Sequence, residues 1–208
     1  DDEAPIEWLA DFIWLISATP SLDWLLLTKR PEKWSERLRR VIAGNGDRTR
    51  EISWFNGIAP HNVWPGVSVE NQRRANERIP ILLEIPAAVR FVSYEPALGP
   101  VDFRLWLDLQ THFGSSRGGA WVRGIDWIIF GGESGPGSRP CGVQWARDTV
   151  RQCRWGGRAC FVKQLGARPF VEASSGPLAG PIDMELDDPK GGDPSEWPED
   201  LRVREFPR

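Results

Sequence analysis

The chain has 208 residues, with 26 Lys and Arg against 29 Asp and Glu, a formal net charge of −3. That length suits one domain, or one domain with a tail, and it can bury a sizeable core. The near-neutral balance gives no global field toward nucleic acid or an anionic membrane, and no apolar run approaches the ~18 residues of a membrane span.

The amino end, Asp1-Asp2-Glu3-Ala4-Pro5, lacks the basic segment and apolar stretch of a signal peptide, so a cytoplasmic setting is expected. Helical period begins over residues 6–19, where Ile6, Leu9, Ala10, Ile13 and Ile16 share one face. A first apolar run follows at 23–30 (DWLLLTKR). A helix is predicted over 31–42, opened by Pro31 and Glu32 and carrying Trp34, Leu38 and Val41. Residues 44–62 look like an excursion. The second run, 63–70 (VWPGVSVE), leads into a charged helix over 71–83 with Ile79, Leu82 and Leu83, where Pro80 predicts a kink or break. A third run lies at 89–96 (VRFVSYEP), a second excursion at 111–124, and a fourth run at 126–134 (DWIIFGGES). A helix over 143–153 carries Trp145, Ala146, Thr149 and Val150, and the last run is 159–166 (ACFVKQLG).

The five short runs, rich in Val, Ile, Phe and Trp, read as buried strands. Their alternation with helices predicts parallel βαβ units and an α/β fold, either a complete or partial parallel β/α barrel or a doubly wound sheet. The barrel body is expected over residues 1–176, with an irregular acidic tail over 177–208 packing on it. Residues 177–200 hold eight acids and one base, a net of −7, which leaves the rest of the chain at +4.

The strand ends carry the chemistry. Alternation with period two puts Ser68 and Glu70 on one face of their strand, Ser93 and Glu95 on one face of the next, and Gly131 and Glu133 on one face of the fourth. Three strands therefore share a small-x-Glu ending. The first strand ends Thr28-Lys29-Arg30 and the last supplies Lys163-Gln164. In a parallel barrel the carboxyl-terminal mouth is where several strands aim side chains at one cavity. Charges gathered there are costly to bury without partners, so the pattern predicts either a polar ligand site or a self-satisfying ion-pair network.

The loop Gly131-Gly132-Glu133-Ser134-Gly135-Pro136-Gly137-Ser138-Arg139-Pro140 adds a close-approach backbone and makes Arg139 and Ser134 candidate anion contacts. It matches neither a Walker A loop nor G-x-G-x-x-G. His61 and His112 read as surface histidines. Cys141, Cys153 and Cys160 read as buried small apolar groups in a reduced compartment, with no C-x-x-C spacing. Trp54 and Trp121, in the excursions, are candidate stacking platforms.

The stretches LTKRPEKW (27–34), NVWPGVSVENQ (62–72), RFVSYEPALGPVD (90–102), DWIIFGGESGPGSRP (126–140), FVKQLG (161–166) and KGGDPSEWPEDLRVREFP (190–207) together resemble the phage-associated three-cysteine-motif proteins, a largely uncharacterised family related to radical S-adenosylmethionine enzymes. The resemblance implies a radical-enzyme barrel of phage or prophage origin, a four-iron four-sulfur cluster and S-adenosylmethionine. The family's cysteine motif stands well before the LTKRP strand, and Cys141, Cys153 and Cys160 do not match it. This chain is therefore expected to be a fragment or an inactive form. If the family chemistry holds, Glu70, Glu95 and Glu133 would accept hydrogen bonds from an ammonium or ribose hydroxyls. Lys29, Arg30, Lys163 and Arg139 would neutralise a carboxylate or phosphate, and Gln164 and Ser134 would fix orientation.

Two other readings stand beside it. One is a nucleotide or nucleic-acid binding module without chemistry, acting with a protein partner encoded nearby, although the net charge does not favour nucleic acid. The other is a hydrolase holding a hard cation on Glu70, Glu95 and Glu133. No membrane association is expected.

Overall fold

The computed structural model describes residues 5–45, 60–108, 110–113, 120–173 and 180–207. Its elements run α1 (Ile6–Ala18), β1 (Trp24–Thr28), α2 (Trp34–Asn45), β2 (Val63–Ser68), α3 (Gln72–Glu84), β3 (Phe91–Tyr94), α4 (Arg104–Leu107), β4 (Gln110–Phe113), β5 (Ala120–Arg123), β6 (Trp127–Gly131), β7 (Cys141–Gly142), α5 (Val143–Gly156), β8 (Ala159–Gln164), β9 (Pro169–Ala173) and β10 (Gly180–Asp183). The five runs read as strands are all strands. They form one parallel sheet in the order β1-β2-β3-β6-β8. Each newly added strand lies beside the previous one, the order of a β/α barrel. The sheet remains open, with β1 and β8 as its outer strands.

Helices cover one face. Val67, Val92, Tyr94, Ile128, Phe130, Cys160 and Val162 from the strands pack with Ala75, Ile79 and Leu82 of α3 and Val143, Ala146, Val150 and Cys153 of α5. Near β1, Ile13 and Ile16 of α1 and Leu38 and Val41 of α2 close over Val63, Trp24 and Leu26. The buried Asn62 amide donates to the carbonyls of Ile16, Thr19 and Leu22, each at 3.3 Å, and so ties the end of α1 to the start of β2. Alternation sends Trp64, Gly66, Ser68, Phe91, Ser93, Trp127, Ile129, Gly131, Phe161 and Lys163 to the opposite face.

The charged helix begins at Asn71, whose side chain accepts from the Arg74 backbone N–H at 3.1 Å. Pro80 does not break it. The helix runs through to Glu84, because Ile79 and Leu82 pin it to the sheet on both sides of the proline. The helix expected from Pro31 starts as a 3₁₀ turn, Pro31–Lys33, and becomes α-helical at Trp34. The 111–124 excursion holds a separate antiparallel hairpin, β4–β5. Most of the 44–62 excursion, Trp54 included, lies outside the described residues, as do the side chains of His112 and Trp121.

The end of the chain is built into the fold. β10 pairs antiparallel with β9 in a hairpin that spans the expected 176/177 division, and β9 also pairs with β7. Trp197 is fully buried and its indole N–H donates to the Gly191 carbonyl at 3.1 Å. Beyond it the chain runs antiparallel along the outer edge of β8. Val162 N–H meets the Val203 carbonyl at 2.8 Å and Glu205 N–H meets the Cys160 carbonyl at 2.8 Å. An edge strand that would template aggregation is thereby paired.

Among the described residues, no helix is long and apolar enough to cross a membrane.

Candidate functional site at the strand mouth

The three glutamates stand two residues past Ser68, Ser93 and Gly131, at the carboxyl-terminal ends of the adjacent strands β2, β3 and β6. Register sets Glu70 level with Glu95, and Glu95 level with Gly131, so Glu133 stands two residues further out, since Ser68 pairs with Ser93 and Ser93 with Ile129. The loops are tied at the same height. Val69 N–H donates to the Ser93 carbonyl at 2.8 Å, Ala97 N–H to Gly131 at 2.9 Å, and Leu98 N–H to Glu70 at 2.8 Å.

Each carboxylate has a basic partner, distant in the chain for Glu95 and local for Glu133. Glu70 receives Arg78 of α3, at 3.0 and 3.3 Å, and the same guanidinium nitrogen donates to the Ser68 carbonyl at 2.8 Å. Lys29, after β1, lies 3.4 Å from Glu70 on its more exposed side. Glu95 reaches Lys163 of β8 at 2.7 Å. Glu133 takes the Arg139 backbone N–H at 2.9 Å and its guanidinium at 2.7 and 2.8 Å, which closes the glycine loop on itself. The Arg139 side-chain hydrogen bonds, helped by its backbone N–H, hold the Glu133 carboxyl far below the usual range, at about 2. Arg139 is raised in turn, by Glu133 first and also by the charge of Glu70, so these two ion pairs are close enough to interact.

Glycines make the arrangement fit. A Cβ on Gly131 would come within 2.8 Å of Glu95 Cγ, so the Glu95 stem passes over bare backbone on β6 to reach β8. A Cβ on Gly66 would collide with the Phe91 ring, which lies over it from the neighbouring strand. Gly132 packs directly against the Leu165 carbonyl, and the Gln164 amide donates to the Gly132 carbonyl at 2.7 Å.

Of the predicted site residues, Lys29, Glu70, Glu95, Glu133, Arg139, Lys163 and Gln164 join this rim through the bonds above. Ser68 and Ser93 lie beneath it on the same face. Arg30 and Ser134 are exposed beside it, with the Arg30 backbone N–H bonded to Thr28 Oγ1 at 3.0 Å. The rim is an ion-pair network as well as a candidate ligand site, since each carboxylate is matched by a cation. Sequence reasoning missed Arg78. Its signal was present: position 78 falls within the apolar stripe of Ala75, Ile79 and Leu82, and a charge in such a stripe needs a partner.

A lower layer of aromatic rings fills the same face. Trp127 meets Trp64, Phe91, Phe161 and Phe206 at centroid distances of 6.3, 6.0, 6.2 and 5.2 Å. The Trp127 indole N–H donates to the Glu205 carbonyl at 2.9 Å. The tail therefore covers this face of the open sheet at the end opposite the mouth.

The cysteines do not fit an iron–sulfur cluster. All three are buried and distributed over β7, α5 and β8. Burial pushes the Cys141 thiol up to about 12, whereas a cluster takes thiolates. Cys153 is also raised, first by its hydrogen bond with Cys160. Among the described residues, no group of three or more His, Cys, Asp or Glu side chains is arranged to hold a metal ion.

Residues 1–182 match a protein family described as a protein of unknown function (DUF5131), and the chain belongs to that family. No curated protein and no solved structure matches the chain significantly.

Proposed function

We propose that this family member is a ligand-binding half-barrel of radical S-adenosylmethionine type, with its site at the carboxyl-terminal mouth of the parallel strands. One observation supports the reading above others. Three carboxylates follow three adjacent strands, with Glu70 and Glu95 level and Glu133 two residues further out, and four cations, Lys29, Arg78, Arg139 and Lys163, pair with them.

The pairs differ in how readily they exchange. Arg78 and Glu70 are mostly buried and serve as a fixed anchor, with side-chain exposures of 12% and 14%. Lys29, Arg139 and Lys163 are more than half exposed, at 62%, 56% and 54%. Exposed pairs of this kind contribute about 0–1 kcal/mol, so a ligand carrying both signs can replace them at little cost. The ammonium of an amino-acid end would take Glu95 as its partner, and the carboxylate would take Lys163 or Lys29. S-adenosylmethionine has such an end, and when bound beside a reduced cluster it supplies a carbon radical. The described cysteines do not fit that cluster, so the roles derived for this chain are binding and orientation.

Calorimetric titration with S-adenosylmethionine tests the proposal. Binding is expected to weaken about tenfold or more in Glu95→Gln, the loss of one charge-assisted hydrogen bond. Exposed Arg73→Ala on the outer side of α3 is expected to bind as the parent does. No heat and no thermal stabilisation with the parent chain would overturn the reading.

A further inference from the structure

The two edges of the parallel sheet differ. The returning tail pairs with β8, whereas among the described residues β1 has a strand neighbour on one side only, β2. The free side of β1 is apolar. Leu25 and Leu27 are 43% and 51% exposed, and with Trp8, Trp14, Leu15 and Leu22 they make six of the ten exposed large apolar side chains among the described residues. Apolar surface gathered in one stretch of chain marks an interaction site, and an unpaired apolar edge is a template for another strand.

The composition of the edge specifies that strand. Trp24 N–H donates to the Asn62 carbonyl at 2.8 Å, so Trp24, Leu26 and Thr28 turn their backbone groups to β2, and Leu25 and Leu27 turn theirs outward. An antiparallel neighbour must exchange hydrogen bonds with these two leucines. Residues 23–29, Asp-Trp-Leu-Leu-Leu-Thr-Lys, meet that condition against a second copy of themselves. With a two-fold axis at Leu26, Leu25 opposes the second copy's Leu27 as a hydrogen-bonded pair, and Asp23 opposes its Lys29. Moving the axis to Leu25 keeps the backbone pairing but sets Asp23 against leucine. Moving it to Leu27 does the same to Lys29. A parallel arrangement would set Asp23 beside Asp23.

The side chains agree with this register. Trp24 and Leu26 pack toward α1 and α2, so Asp23, Leu25, Leu27 and Lys29 share the other face of the strand. Asp23 is exposed, and Lys29, 3.4 Å from Glu70, is 62% exposed on its side chain and open to a second carboxylate.

We propose that a second copy of this chain covers β1, in an antiparallel two-fold pair centred on Leu26 that joins the two five-stranded sheets into one. The pairing brings each copy's Asp23 beside the other's Lys29, at the border of its strand mouth.

Sedimentation equilibrium tests the proposal. The parent chain is expected to show twice the mass of one chain at about 10–100 μM. Leu25→Lys/Leu27→Lys, which alters only exposed side chains, should give a monomer with the circular dichroism of the parent. Asp23→Lys should weaken dimerisation about tenfold by setting like charges opposite each other, and Asp23→Lys/Lys29→Asp should restore it. Under mild oxidation Leu26→Cys should form a covalent dimer, since directly opposed residues without mutual hydrogen bonds lie about 4.5 Å apart at Cα, within disulfide reach. Exposed Leu22→Cys should not, and the native cysteines are buried. A parent chain that stays monomeric throughout this range would overturn the proposal, whatever other protein binds the edge. So would a dimer that survives Leu25→Lys/Leu27→Lys, that the charge exchange does not restore, or that crosslinks through Leu22→Cys and not through Leu26→Cys.

Discussion

Glu95 lies across Gly131, and a single methyl group on that glycine would come within 2.8 Å of the Glu95 side chain. Gly131 is on β6, Glu95 follows β3, and the carboxylate reaches Lys163 on β8 only because the strand between them offers no side chain there.

Gly131→Ala is therefore expected to destabilise the protein by about 1–3 kcal/mol through overpacking, and to break the Glu95–Lys163 contact. Removing the obstructing stem should relieve the clash. The double variant Gly131→Ala/Glu95→Ala should be more stable than the two single effects added together predict, a coupling that urea denaturation of the four proteins measures. Strict additivity would place the two residues out of contact.

The pH dependence of the glycine loop has a definite sign. Arg139 holds the folded-state Glu133 carboxyl at about 2, against an ordinary value of 4.5. A carboxyl depressed on folding contributes stability that is present above its unfolded pKa and lost as pH falls through the folded one. The stability difference between the parent chain and Glu133→Gln should thus be constant from pH 6 to 8, and should shrink as pH falls from about 4.5 toward 2. Denaturation at a series of pH values checks this, and a difference that persists unchanged at pH 2 would contradict the pairing.

Thiol chemistry should be silent in the folded protein. With Cys141 pushed up to about 12 and Cys153 raised by Cys160 and burial, none of the three cysteines should react with a disulfide reagent at pH 8. All three should react in denaturant. Reconstitution of this chain with iron and sulfide should give a colourless protein, because no cluster fits these positions.

The carboxyl-terminal segment is predicted to be essential to the fold. Trp197→Ala should cost about 3–5 kcal/mol, the usual range for emptying a buried aromatic site. Deleting residues 203–208 strips the strand that pairs with β8 and removes the Phe206 ring from Trp127. The exposed edge should then cause concentration-dependent association, visible by light scattering, while the parent chain remains at its original size.

Local pattern alone determined the five strands, the helices between them and the shared inner face of Ser68/Glu70, Ser93/Glu95 and Gly131/Glu133. These follow from side-chain period and from strand-end composition, which are properties of short segments. It also made the match between the charges of the mouth residues legible, but not which charge would meet which. Only the tertiary structure decided that Arg78 anchors Glu70, that Glu95 crosses Gly131 to Lys163, and that Glu133 turns back to Arg139 six residues on. The acidic composition of residues 177–200 gave no sign that Trp197 is core or that the chain returns along β8. Pairing across 41 to 45 residues, as between β8 and the returning tail, depends on which strands become neighbours, and no local period encodes that. Pro80 teaches the same point in reverse: its local preference to break a helix is overcome by Ile79 and Leu82 packing on the sheet.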